Sequence, residues 1–202
     1  MNGSDALKLS VARAQLGTAL SLFIRDEDPV SVHTLACSAC ELLADMAVVR
    51  GVKSVSLYVS QDYTRQEIAG ARGLYWNAFK HFFENDRKAE RDDSSIKTRF
   101  SDETNDWVLF QGWSDLAQFG RPTPVEGQVL TLWFFAQYPE LNAPNLFAAG
   151  QSLFPFTSET SRAERKRALA LVCAEWKKNP DLLKDLKTDL EPLVASGASQ
   201  TA

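Results

Sequence analysis

The chain has 202 residues, 45% of them hydrophobic, with five tryptophans and twelve phenylalanines. That is enough apolar surface for one sizeable core and too much for a disordered chain. The formal charge of −4 gives no global attraction to phosphate backbones or anionic lipid, which weighs against nucleic-acid or membrane-surface binding as a property of the whole protein.

Three cysteines, Cys37, Cys40 and Cys173, lie in apolar periodic segments. An odd number, with no charged-then-apolar leader over the first residues, reads as reduced thiols in a cytoplasmic protein. The longest wholly apolar runs, such as 132–136, fall far short of a bilayer, so no membrane span is expected.

In chain order, Leu9, Leu16, Leu20, Phe23 and Ile24 keep one face over a first helix at about 5–25. Asp28 and Pro29 form a start signal for a second helix, which stops at Gly51. Residues 52–60 are a connector or a lone strand. A capping box at Thr64–Glu67 opens a third helix to about Asn85. The charge-dense stretch 86–100 is expected to be solvated. A fourth helix runs from Ser101 or Asp102 to near Gly120, and a fifth opens at the capping box Thr123–Glu126 and ends near Gln137. Residues 139–158, with three prolines, read as a long surface connection. Ser161–Glu164 opens a sixth helix, and a short last one covers about 181–190. The expectation is an all-α bundle of six to eight helices with a buried central second helix, one domain over 1–195 and a disordered tail over 196–202.

The second helix is apolar nearly all round. Leu35, Ala39, Leu42, Met46 and Val49 fall on one side. His33, Cys37, Cys40, Ala44 and Ala47, mostly small, fall on the other and admit a close neighbour. His33, Cys37 and Cys40, with His81, have the residue types of a tetrahedral zinc site. However, Cys-x-x-Cys within a helix lacks the tight turn that brings two sulfurs inward, and buried cysteine packs as a small apolar filler. No metal and no cofactor are therefore expected. His33, in the early turns of its helix, is a candidate for a hydrogen bond of fixed geometry.

On the third helix Ile68, Tyr75, Phe79 and Phe82 form a core stripe. Opposite them lie Gly70, Gly73, Asn77, His81 and Glu84, a polar face that is either solvated or the wall of a cleft. Asn77 and His81 are one turn apart and can meet or grip one ligand. His33, Lys80 and Glu84 are the accompanying binding candidates.

The run Trp76-Asn77-Ala78-Phe79-Lys80-His81 resembles the end of the motif of HEPN domains, helical bundles often found in bacterial toxin–antitoxin and defence systems. There an arginine and a polar residue precede a histidine. The resemblance covers six residues and implies a metal-independent ribonuclease in which Asn77 and His81 match the polar residue and the histidine. Trp76 stands at the arginine position, and Lys80 lacks the guanidinium fork that grips phosphate in two places. Such a departure implies a non-catalytic relative. The segments His33–Ala36 and Phe79–His81 also resemble small bacterial helical proteins of no assigned activity.

Arg162, Arg165, Lys166 and Arg167 form a basic cluster diluted by Glu159 and Glu164, expected to be a solvated helix start. Trp107, Phe110, Trp113, Trp133 and Phe134 make an aromatic-rich helix pair, mostly core, with a pocket lined by indoles or a homodimer interface as uses for the surplus. The expected function is a non-catalytic protein-interaction module with a protein partner or a second copy of itself. The alternative is an HEPN-like ribonuclease acting through His81 and Asn77, for which alone RNA is a partner.

Overall fold

A computed structural model of the protein describes residues 3–55, 65–83, 89–94, 96, 100–141 and 143–195. Glu84, the Thr64 cap, the tail from 196, all of 56–64 and half of 86–99 lie outside the described residues. Within them the chain is all-α: α1 (Gly3–Ile24), α2 (Pro29–Arg50), α3 (Arg65–Lys80), α4 (Thr104–Gln118), α5 (Val125–Gln137), α6 (Pro144–Leu153), α7 (Arg162–Trp176) and α8 (Pro180–Lys184). One two-stranded parallel sheet joins β1 (Thr123–Pro124) to β2 (Thr188–Asp189).

α1 and α2 make an antiparallel hairpin, pinned at its open end by Arg50 at the close of α2, which binds Asp5 at the start of α1 (2.9 Å). Local chemistry sets the turn. Asp28 accepts from the N–H groups of Val30 and Ser31, Pro29 occupies the first turn, and Gly51 ends α2 at φ 66°, a conformation that glycine adopts without a Cβ penalty. Leu9, Leu16, Leu20 and Phe23 are fully buried, as their spacing predicts.

α2 packs between α1, α3 and α4. Its small-residue side does admit a close neighbour. A Cβ on Gly112 of α4 would lie 2.4 Å from Leu16 and 3.2 Å from the Cys40 sulfur, and Cys40 donates to the Val108 carbonyl (3.3 Å). By length and composition α2 is apolar enough to cross a membrane, although its longest apolar run is short. Here it serves as a core helix for its first four turns. Val49, on one apolar side of a helix expected to be buried nearly all round, is 72% exposed.

Three further expectations are corrected. Residues 139–158 carry α6, not just a connection: Pro144 sits in the first turn of a helix, where its missing N–H costs nothing, and Gly150 lets that helix approach the Leu132 carbonyl of α5. The Thr123 capping box does not form. Thr123 belongs to β1, and the helix opens after Pro124 without a side-chain cap. The last helix ends at Lys184 instead of about 190, and the chain turns extended to pair Thr188 with Thr123 and Asp189 with Pro124. A two-residue pairing has no alternation for a sequence to display.

Beyond β2 the chain straps across α1. Arg13 donates to the Asp189 carboxylate (2.9 Å) and to the Glu191 and Leu193 carbonyls (3.0 Å each), while Gly17 leaves room for the Leu193 carbonyl. The aromatic pair of helices is core as expected: Phe110 stacks on Phe134 at 4.1 Å, and Trp107 meets the same ring edge-on at 4.9 Å.

Candidate functional site

The face read from the third helix divides. Tyr75 and Phe79 turn inward onto His33 of α2, with ring centroids 5.9 Å away in each case. Phe82, expected in the same stripe, is 67% exposed, because the helix ends at Lys80 and the chain leaves the helical path. Asn77 is half-buried, and its side-chain nitrogen lies 3.3 Å from where a Cβ on Gly73 would stand. His81 is exposed, and its backbone N–H donates to the Asn77 carbonyl (2.9 Å). Trp76 and Lys80 both bind the Glu41 carboxylate of α2, at 3.1 and 3.5 Å, with the Lys80 ammonium over the Trp76 ring. Thus the side chain at the arginine position of the resembled motif and the nearest cation both bind Glu41.

His33 is fully buried and anchors a different constellation. Its Nδ1 lies 3.0 Å from the Asn105 Oδ1, and its Nε2 lies 3.3 Å from the Cys37 sulfur. Asn105 donates through Nδ2 to the Pro29 carbonyl and to Asp102, both pure acceptors, so its oxygen faces the ring and Nδ1 carries the proton. The thiol then donates to Nε2. Phe100, its ring 5.4 Å away, joins Tyr75 and Phe79 around the imidazole.

The chain of bonds continues into a buried ion cluster that links α4 to α7. Arg162 grips Asp106 with both terminal nitrogens (2.9 and 2.5 Å) and reaches Asp102 through Nε (2.9 Å). Lys166, only 2% exposed, holds Asp102 (2.6 Å) and Asp26 (2.8 Å). The Tyr138 hydroxyl donates to Asp106 (3.0 Å). The Arg162 guanidinium lies 5.2 and 5.3 Å from the ring centroids of Phe23 and Trp133, a cation–π contact to each.

Burial pushes the Asp106 carboxyl up to about 6 against the opposing pull of Arg162 and Tyr138. Asp102 is also raised by burial, but Lys166 and Arg162 together bring it below the usual carboxylate range. Arg162 itself is held above its ordinary value: burial works against this, and Asp106 and Asp102 outweigh it. These groups are held by pairing, and the arrangement is architectural: two cations neutralise carboxylates that could not otherwise be buried.

The basic cluster expected to be solvated is thereby split, with Arg162 and Lys166 turned inward one helical turn apart. They face Asp102 and Asp106, also one turn apart in sequence, and that matched spacing is the signal that marks them. Asn105 carries no comparable signal. Among the described residues no three of His, Cys, Asp and Glu converge as a metal site requires. Cys40 bonds Val108 instead of joining His33 and Cys37, and burial first, then Glu126, pushes the Cys173 thiol up to about 12. Comparison with protein-family models, curated proteins and solved structures finds no match.

Proposed function

We propose that this protein is a non-catalytic helical interaction module that associates through its C-terminal strap, first of all with a second copy of itself. The supporting observation is the inverted polarity of that strap. Arg13 holds its carbonyls and Asp189 against α1, while Leu190 and Val194, together with Leu186 in the turn before β2, stand in solvent at 66, 47 and 95% exposure. Apolar side chains fixed on a pinned backbone lose little entropy when a partner covers them. The chemistry-bearing side chains of the buried network, by contrast, are engaged with one another.

Sedimentation equilibrium tests this reading. The wild type is expected to be dimeric at about 50 μM, and the double variant Leu186→Glu/Leu190→Glu to be monomeric with its helical circular dichroism retained, since charge on an exposed site leaves the core alone. A monomeric wild type at ten times that concentration removes the homodimer.

Ribonuclease action at Asn77 and His81 is the competing proposal. Its support is the exposure of His81 and the short resemblance. Against it stands the absence, among the described residues, of a partner for the His81 ring that would orient it as an acid or base. Labelled RNA incubated without metal is expected to stay intact with the wild type and with His81→Ala alike. Cleavage by the wild type alone reverses this reading.

A further inference from the structure

The constellation around His33 carries chemistry that the association surface leaves unused. A thiol, an imidazole and an amide are bonded in series: the Cys37 thiol donates to Nε2 (3.3 Å), and the Nδ1–H donates to the Asn105 oxygen (3.0 Å). A nucleophile bonded to a base, with the base held by a third group, is the arrangement that activates a thiol. Asn105 is itself held by the Pro29 carbonyl and Asp102, so the tautomer that turns the Nε2 lone pair toward the thiol is fixed. The other two cysteines are placed differently. Cys40 donates to the Val108 carbonyl of α4, and burial foremost pushes the Cys173 thiol up to about 12.

Access to this thiol is governed by α3. His33, Cys37 and Glu41 follow one another at single-turn spacing along one line of α2. α3 meets both ends of that row: Tyr75 and Phe79 lie on His33, and Trp76 and Lys80 bind Glu41. Cys37 therefore lies beneath the crossing of α3, whereas Cys40 faces α4. The cover is thin. Tyr75, Phe79 and Phe100 are only half-buried, while His33 behind them is fully buried. Glu41 is half-exposed, and ion pairs in such a setting hold weakly. A helix seated on half-buried rings and surface bonds opens locally far more readily than the core unfolds.

We infer that Cys37 is a modification site for small, neutral electrophiles of the α,β-unsaturated carbonyl class, with His33 as its base, Asn105 as the positioning residue and α3 as its cover. The Cys37 sulfur bonds to the β-carbon, and the electron pair of the carbon–carbon double bond moves to the carbonyl oxygen as an enolate. The thiol proton passes to Nε2 and then to the α-carbon. Nothing leaves and no further reactant is consumed. The product is a thioether, so the chain is modified once and does not turn over. The aromatic cover favours a neutral reagent, since a charged one would lose its hydration among three rings. The site is independent of the strap and reacts whether or not the chain dimerises.

Limiting N-ethylmaleimide added to the full chain, with the adduct at each cysteine measured by peptide mass spectrometry, tests this with Cys40 and Cys173 as internal controls. At about pH 7 Cys37 is expected to react about tenfold faster than either, the gain from a placed base less the cost of opening the cover. Glu41→Ala, which unties Trp76 and Lys80, is expected to raise the Cys37 rate about two- to fivefold and leave the other two unchanged. His33→Gln is expected to bring Cys37 down to the Cys40 rate with helical circular dichroism retained. If that variant does not fold, the wild-type pH profile decides. Between about pH 6.5 and 8.5 the Cys37 rate is expected to change less than about threefold, while glutathione, which follows its thiolate fraction, rises more than about tenfold. Four results overturn the proposal: equal rates at Cys37 and Cys40, a Glu41→Ala effect that is absent or shared by all three thiols, an unchanged Cys37 rate in folded His33→Gln, or a Cys37 pH profile parallel to that of glutathione.

Discussion

Replacing Arg162 with alanine is expected to destabilise the protein by about 3–5 kcal/mol, the range for breaking a buried ion pair by removing one partner, and to lower the melting temperature by roughly 10 °C for a chain of this size. The cost comes from what remains. Asp106, 1% exposed, loses the fork that neutralises it, Asp102 keeps only Lys166 as an ion-pair partner, and Phe23 and Trp133 lose the cation near their rings. Arg162→Lys is expected to fall between the wild type and the alanine variant, since an ammonium keeps the charge but cannot bind two carboxylates in a fork.

The pH dependence gives a second check. Asp106 titrates higher in the folded chain, at about 6, than its ordinary 3.8. Its contribution to stability is therefore complete below the unfolded value and is lost as pH rises through about 6. Without Arg162 the folded value rises further, so the deficit of Arg162→Ala is expected to be smaller at pH 5 than at pH 7.5. Urea unfolding at the two pH values measures this, and a deficit that grows on acidification would falsify the pairing.

The contrast between legible and hidden features has a physical cause. Asp28-Pro29, Gly51 and the Ser161/Glu164 box act within four residues of themselves, and all three form as read. The stripes of α1 and the small side of α2 are equally local, since periodicity alone decides which face is apolar. The ion cluster is different. Asp102 and Arg162 are 60 residues apart, and only the packing of α7 against α5 and α1 turns a basic helix start inward. The strap is hidden for a related reason. Two of the three groups that Arg13 holds are backbone carbonyls, which every residue carries, so the segment reads as a continued helix although Leu186 lies in a turn and Leu190 follows β2. His33 stood out in the sequence as an imidazole in the early turns of a buried helix, but Asn105, which fixes its tautomer, comes from 72 positions away.

Gly17→Ala is expected to release the strap while leaving the helices in place, which makes it the sharpest test of how the C-terminal segment is held. A Cβ at this position would stand 2.0 Å from the Leu193 carbonyl oxygen and 3.0 Å from the Arg13 Nη1. The first of these is backbone, so no side-chain rotation relieves the clash and the strap must lift. In an isolated helix the same substitution stabilises by about 1 kcal/mol, so a net loss identifies the strap as the cause. Gly3→Ala, where nothing lies within 4 Å, serves as the control with no expected loss. Amide exchange at 186–195 is expected to become fast in Gly17→Ala, as it is in Arg13→Ala, with exchange in α2 and α5 unchanged. If the strap is the association surface, both variants also sediment as monomers at concentrations where the wild type does not, because outward leucines on a loose chain must be ordered before they can bind. Should Gly17→Ala gain stability with slow exchange at 186–195, the seat of the strap on α1 is wrong, and the proposed surface goes with it.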